Sequence, residues 1–119
     1  MCDPAGMVAM ITAVIKPHRL EDVIEALRDT NVNGVTASEV RGFGRQGGHT
    51  ETYRGTEYHV DFIPKVRVEI LVAAEEAESV ADKIVEAART DKIGDGKVWI
   101  TQIDSVVRIR TGERGIDAL

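Results

Sequence analysis

Glycine, lysine and arginine gather in this chain in patterns that suit the binding of an anion. Gly42-Phe43-Gly44-Arg45-Gln46-Gly47 matches G-x-G-x-x-G, and Asp61 follows roughly 20 residues on, as in a dinucleotide fingerprint. That fingerprint needs a helix whose N-terminus faces the pyrophosphate. Here the chain runs on as Gly48-His49-Thr50-Glu51-Thr52-Tyr53-Arg54-Gly55, with no apolar stripe, so the dinucleotide reading fails. What survives is a site of backbone amides, with Arg45 and Lys65 adding charge. A second glycine loop, Gly94-Asp95-Gly96-Lys97, places a lysine for a phosphate but lacks the G-x-x-x-x-G-K-[ST] pattern. Asp95 is a candidate base there, although in G-D-G an aspartate is more often a turn residue. Arg108 and Arg110 are two apart, so on a strand they share one face and repel unless an anion or carboxylates lie between them. Each pattern alone also reads as solvated surface. Together they point to an anionic ligand such as a nucleotide.

Other chemistry is thin. His18, His49 and His59 are far apart, Cys2 is the lone cysteine, and no G-x-S-x-G elbow occurs. No catalytic constellation assembles, so the chain is expected not to be an enzyme. Its 119 residues, 43% hydrophobic and 29% charged, fit one domain over 1–119. No apolar run approaches the roughly 20 residues of a membrane span. The net charge of -5 argues against nonspecific binding to nucleic acid. A single cysteine and no signal-peptide pattern lead to the expectation of a cytoplasmic protein.

The elements that must position these groups follow from hydrophobic periodicity. Met7 to Ile15 is an apolar run of strand length that Lys16-Pro17 ends. Leu20, Val23, Ile24 and Leu27 set the stripe of an amphipathic helix reaching about Thr30. Val35 to Phe43 is expected to be a strand, after the Asn33-Gly34 turn. Pro64 to Ala73 alternates strictly, Val66, Val68, Ile70 and Val72 on one face. Glu75 to Thr90 reads as a second amphipathic helix, and Val98 to Ile103 and Val106 to Ile109 as strands. The order predicts an α+β, ferredoxin-like βαββαβ fold: an antiparallel sheet with two helices on one face.

Between the second and third strands, from Gly44 to about Phe62, both periodicities vanish. A connection that long is usually a binding loop, a lid or a disordered segment. Of two Phe, two Tyr and one Trp, all but Trp99 lie within or beside it, as Phe43, Tyr53, Tyr58 and Phe62. Exposed tyrosines on such a loop suit docking or enzymatic modification. The plainer reading is a hairpin extension that rests on a neighbouring subunit.

Beyond these local patterns, the chain resembles the PII nitrogen-regulatory signal proteins over nearly its whole length. The segments that carry the resemblance are Glu39 to Gln46, Gly48 to Glu51, Tyr53 to Tyr58, Val60 to Phe62, Pro64 to Val66, Lys92 to Lys97 and Val107 to Glu113. The resemblance implies a T-loop at about 44–62, a B-loop at about 90–97 and a C-terminal region at about 108–119. It implies a homotrimer that binds ATP or ADP in the clefts between subunits. Gly42, Gly44, Arg45 and Gln46 would meet the nucleotide from the T-loop base, and Gly94, Asp95, Gly96 and Lys97 would wrap its phosphates. Lys65 would stand beside them, Arg108 and Arg110 would reach in from the neighbouring subunit, and Thr36 and Leu71 would line the adenine side. With Mg2+ and ATP bound, Gln46 would ligate the metal and 2-oxoglutarate would pair with Lys65 and the segment Gly44, Arg45, Gln46, Gly47 and Gly48.

The same resemblance implies a non-catalytic reporter of energy and nitrogen status. Its T-loop would dock on an ammonium transporter, which would bring it to the membrane, and on regulators of glutamine synthetase or other nitrogen-assimilation proteins. Tyr58 matches the tyrosine that a nucleotidylyltransferase modifies in relatives, and Thr56 a site where some carry a phosphorylated serine. Gly47 stands where the family usually has lysine, and Asp91 where glycine is common. Two rival readings are a small nucleotide hydrolase using Lys65 and Asp95, and a structural trimer whose effector site Gly47 has weakened.

Overall fold

The computed structural model describes residues 7–44 and 62–119. The elements are β1 (Val8–Ile15), α1 (Leu20–Leu27), β2 (Thr36–Gly42), β3 (Ile63–Ala73), α2 (Ala77–Ala88) and β4 (Lys97–Ile103). They form one antiparallel sheet in the order β2-β3-β1-β4. Central strands β1 and β3 are paired on both edges, and the helices cover one face of each: β1 reads as an apolar run and β3 alternates strictly, as the sequence predicts. Ala9, Ile11, Ala13 and Ile15 of β1 and Val66, Val68, Ile70 and Val72 of β3 are buried in one cluster with Val23, Leu27, Val80 and Ile84 of the helices. Both helices therefore lie on one face. Ile11, Val68 and Ile84 are fully buried, so truncating Ile84 to alanine would cost about 2–5 kcal/mol.

Each helix begins with a single 3-10 turn, Pro17–Arg19 before α1 and Ala74–Glu76 before α2. Proline starts the first turn because its missing amide is an orphan there anyway. Glu21 and Asp22 in the first turn of α1 suit the positive end of the helix dipole. Arg19 ties the helices together: its Nε and Nη2 donate to the Ala87 carbonyl at 3.1 and 2.6 Å, satisfying an oxygen near the end of α2.

The predicted fold class is correct, and the differences lie at element ends. Helix α1 stops at Leu27 rather than near Thr30, and α2 spans Ala77–Ala88 within the expected 75–90. The larger correction concerns Val106 to Ile109, which is not a strand of the sheet. Val107 makes one isolated bridge with Arg114, within a hairpin of its own. Glycines at 112 and 115, with φ of 77° and 66°, turn the chain back, so its amides bond locally and not to a sheet edge. The predicted long loop lies, apart from Gly44 and Phe62 at its ends, outside the described residues. At its root the Phe43 and Phe62 rings meet edge to face at 6.1 Å, and the Arg41 guanidinium lies 5.4 Å from the Phe62 centroid.

Candidate functional site: two half-sites on the open face of the sheet

The sheet face away from the helices carries Lys65, Arg67, Glu69 and Leu71 of β3, since strand side chains alternate. Their partners across the ladder share that face: Val40 and Thr36 of β2, Val14 and Met10 of β1, and Lys97 opposite Val14. Residues from the sequence patterns gather at both ends of this face.

At one end, a cleft of about 920 Å³ is bordered by Gly42, Gly44, Lys65 and the loop Gly94 to Lys97. Helix α2 ends at Ala88, and the chain must reverse to reach β4. Asp91 adopts φ 68°, Gly94 φ 95° and Gly96 φ 98°, all left-handed. At Gly96 even a methyl group is excluded, because a Cβ would lie 1.8 Å from the Val14 carbonyl oxygen. Asp95 fastens this turn. Its Oδ2 accepts the amides of Thr90 and Asp91 at 2.8 and 2.9 Å, its Oδ1 accepts the Thr90 hydroxyl, and Lys16 Nζ stands 3.2 Å from Oδ1. The Thr90 hydroxyl and amide, with Lys16 and the Asp91 amide adding to them, hold Asp95 well below the usual carboxylate range, against a smaller opposing effect of desolvation.

Lys65 joins the loop to the strands. Its Nζ donates to the Gly94 carbonyl, and Gly42 lies against its stem, where a Cβ would be 3.7 Å from Lys65 Cγ. Burial first, and the Lys16 ammonium second, push Lys65 below the ordinary lysine value, while Asp95 acts the other way. An anion beside Lys65 would relieve both effects. Lys16 also donates to Thr90 Oγ1 at 3.1 Å. Sequence reasoning missed Lys16 and Thr90. Lys16 could have been noticed as the basic residue that ends an otherwise apolar strand, whereas Thr90 carries no signal without the turn that brings Asp95 to it.

At the other end, a second cleft of about 760 Å³ is bordered by Thr36, Leu71, Arg108 and Arg110. The arginines do not share a strand face as the sequence suggests. Arg108 opens the turn of the 106–115 hairpin, and its Nη1 pairs with Glu113 Oε1 at 3.0 Å. Both nevertheless border the same cleft. Arg45, Gln46, Gly47, Gly48, Thr56 and Tyr58 lie outside the described residues.

Among the described residues, those expected to bind a nucleotide divide into two groups, and the chain does not bring them together. Lys65 and Leu71 point the same way but stand about 20 Å apart along β3 at the usual strand rise. A ligand that touches both groups needs one half from another copy. Among the described residues, no cluster of His, Cys, Asp and Glu is arranged to hold a metal, and no helix is long and apolar enough to cross a membrane.

The chain also matches known proteins in sequence and in fold. The family model described as Nitrogen regulatory protein P-II matches residues 8–113. The Nitrogen regulatory protein P-II of Rhizobium meliloti is 54% identical over 109 residues, covering 92% of this chain and 97% of its own. That of Pasteurella multocida is also 54% identical, with the same coverage. Among solved structures, the crystal structure of Arabidopsis thaliana PII bound to citrate superposes with a TM-score of 0.78 at 37% identity, over 99% of this chain and 97% of that one. A match of this extent in sequence and in fold shows that the chain belongs to the P-II nitrogen regulatory protein family.

Proposed function

We propose that this member of the family is a homotrimeric sensor that binds ATP or ADP between subunits, binds 2-oxoglutarate with Mg2+ and ATP, and acts through the segment 44–62 on its partners. The observation that carries the reading is the division of the anion-binding residues between two clefts of one sheet face. Half-sites that cannot meet within a chain are what a ligand between subunits requires. In a ring of copies, the glycine-loop end of one chain would meet the Thr36, Leu71, Arg108 and Arg110 end of the next. Half-exposed Leu71 and Trp99 on the open face supply apolar area for such contacts.

The chemistry of the first cleft suits a nucleotide and a dicarboxylate. Lysines 16, 65 and 97 border it, and the loop at Gly94 and Gly96 lets backbone approach an anion without side-chain hindrance. The citrate named with the Arabidopsis relative is likewise a small polycarboxylate. The residues fit a magnesium ion carried by the nucleotide, because Mg2+ commonly takes phosphate and water oxygens with few protein ligands. Gln46 would add one such ligand. Lys65 would hold the acid, and Asp95 would keep the loop closed around the phosphates. The carboxylate of Asp95 is engaged by two amides, a hydroxyl and an ammonium, so it is poorly placed to act as a hydrolytic base.

A segment rooted at the ligand site can report occupancy, provided the ligands favour one of its arrangements over another. Ammonium transporters and regulators of nitrogen assimilation are the proposed partners, and nucleotidylylation of Tyr58 would add charge and bulk to the docking segment. Calorimetric titration of 2-oxoglutarate with Mg2+ and ATP, with Mg2+ and ADP, and without nucleotide tests the reading. Binding only with ATP is the expected result. Failure of either nucleotide to bind would overturn the ligand assignment, and a monomer by light scattering would overturn the shared site.

A further inference from the structure

We infer that Glu113, together with the main-chain oxygens of Ala118 and Leu119, forms a cradle that positions Arg108 for the phosphates of a nucleotide; this rests on the nucleotide reading above. The two arginines of the second cleft are held very differently. Arg108 Nε donates to the Ala118 oxygen at 3.3 Å, Nη1 to Glu113 Oε1 at 3.0 Å and Nη2 to the Leu119 oxygen at 2.6 Å. Arg110, on the same turn, makes no side-chain hydrogen bond or ion pair among the described residues.

A guanidinium has five N–H donors in a rigid plane, and these partners take one on each nitrogen. The remaining N–H of Nη1 and of Nη2 stay available for an anion. Fixing the plane beforehand spares much of the rotamer entropy that a free arginine loses on binding.

The cradle is itself well supported. Glu113 Oε1 also accepts the Thr111 hydroxyl at 2.9 Å, and the Glu113 amide donates to Thr111 Oγ1 at 3.2 Å. The Arg108 amide donates to the Glu113 carbonyl at 2.9 Å, and the Gly112 amide to the Arg108 carbonyl at 2.7 Å. The Gly115 amide donates to the Val106 carbonyl at 3.1 Å, which brings the 3-10 turn Gly115–Ala118 back beside Arg108. Glu113 and Thr111 therefore serve the guanidinium from outside the cleft that Arg108 borders.

The test is a double-mutant cycle read by calorimetry with ATP and with adenosine, which lacks phosphates. Glu113→Gln should weaken ATP about tenfold and leave adenosine within about twofold. In an Arg108→Ala background, Glu113→Gln should add nothing. Equal losses for ATP and adenosine, or a full loss that persists without Arg108, would show a merely structural residue and overturn the inference. If Glu113→Gln does not fold, Thr111→Val reads the same support, with a loss of about threefold for ATP alone expected and no loss overturning the cradle. Wild-type protein that binds no ATP overturns the nucleotide reading and the cradle with it. Wild-type binding with an unchanged Glu113→Gln overturns the cradle alone.

Discussion

The turn between α2 and β4 and the hairpin at 106–115 do related jobs by different means. In each, a carboxylate two to five residues from a threonine organises a loop beside a basic group. Asp95 takes the main-chain amides of its own turn, so it fixes the backbone and leaves the glycines facing the cleft. Glu113 takes a guanidinium and a hydroxyl, so it fixes a side chain. The difference teaches where each end would get the anion affinity proposed for it. The first uses backbone shape with lysines whose charge depends on surroundings; the second uses arginine, whose charge does not.

Substitutions can break this contrast. Gly96→Ala should have the largest effect, because its Cβ would collide with the Val14 carbonyl at 1.8 Å and φ is 98°. A loss of at least about 3 kcal/mol in urea denaturation is expected. Gly112→Ala in the hairpin also has positive φ, 77°, but nothing within 4 Å, so it should cost only about 1 kcal/mol. Similar losses at the two sites would mean that backbone shape does not distinguish the loops.

Lys65→Met comes next. Removing its ammonium should weaken 2-oxoglutarate more than about tenfold by calorimetry. In the absence of ligand it should leave the melting temperature equal or raised. The lowered pKa of Lys65 means that the unfolded chain binds the proton more readily, so the buried charge opposes folding below the folded pKa and stability rises with pH through it. A destabilised variant with intact binding would reverse the roles given to this residue.

The pH dependence separates the carboxylates further. The folded pKa of Asp95 lies below its unfolded value of 3.8, so its contribution is complete above that value and is lost as pH falls below it. Asp95→Asn should be less stable than wild type at pH 7 and should lose less on acidification from pH 5 to pH 3. Parallel melting-temperature curves for the two proteins would remove Asp95 from its fastening role.

The smallest effect belongs to Asp91→Gly. With φ 68° and a largely exposed side chain, Asp91 bears a modest left-handed cost that glycine avoids, so a gain below about 1 kcal/mol is expected by denaturation. A loss would show that the Asp91–Arg89 pair, at 3.9 Å, matters more than the backbone.

Much of this was legible in the sequence. Strict alternation at Val66, Val68, Ile70 and Val72 forces one apolar face, and the stripe of Val80, Ala81, Ile84 and Ala88 forces a helix to cover it. Periodicity sees only burial, however. It read Val106 to Ile109 as a strand because Val107 and Ile109 alternating with Arg108 and Arg110 look the same in a hairpin, where Ile109 is 99% exposed. The residue types of the proposed anion site were visible because glycine, lysine and arginine stand at close spacing in two loops and a hairpin.

What the tertiary structure alone decided was which of them can meet. Sequence separation does not reveal that Lys65 and Leu71 reach different clefts, that Lys16 and Thr90 join Asp95, or that Glu113 turns Arg108. Local pattern records the face on which a side chain lies. Distances across a face depend on strand register and on loops that bring remote residues together, and those follow from the packing of the whole chain.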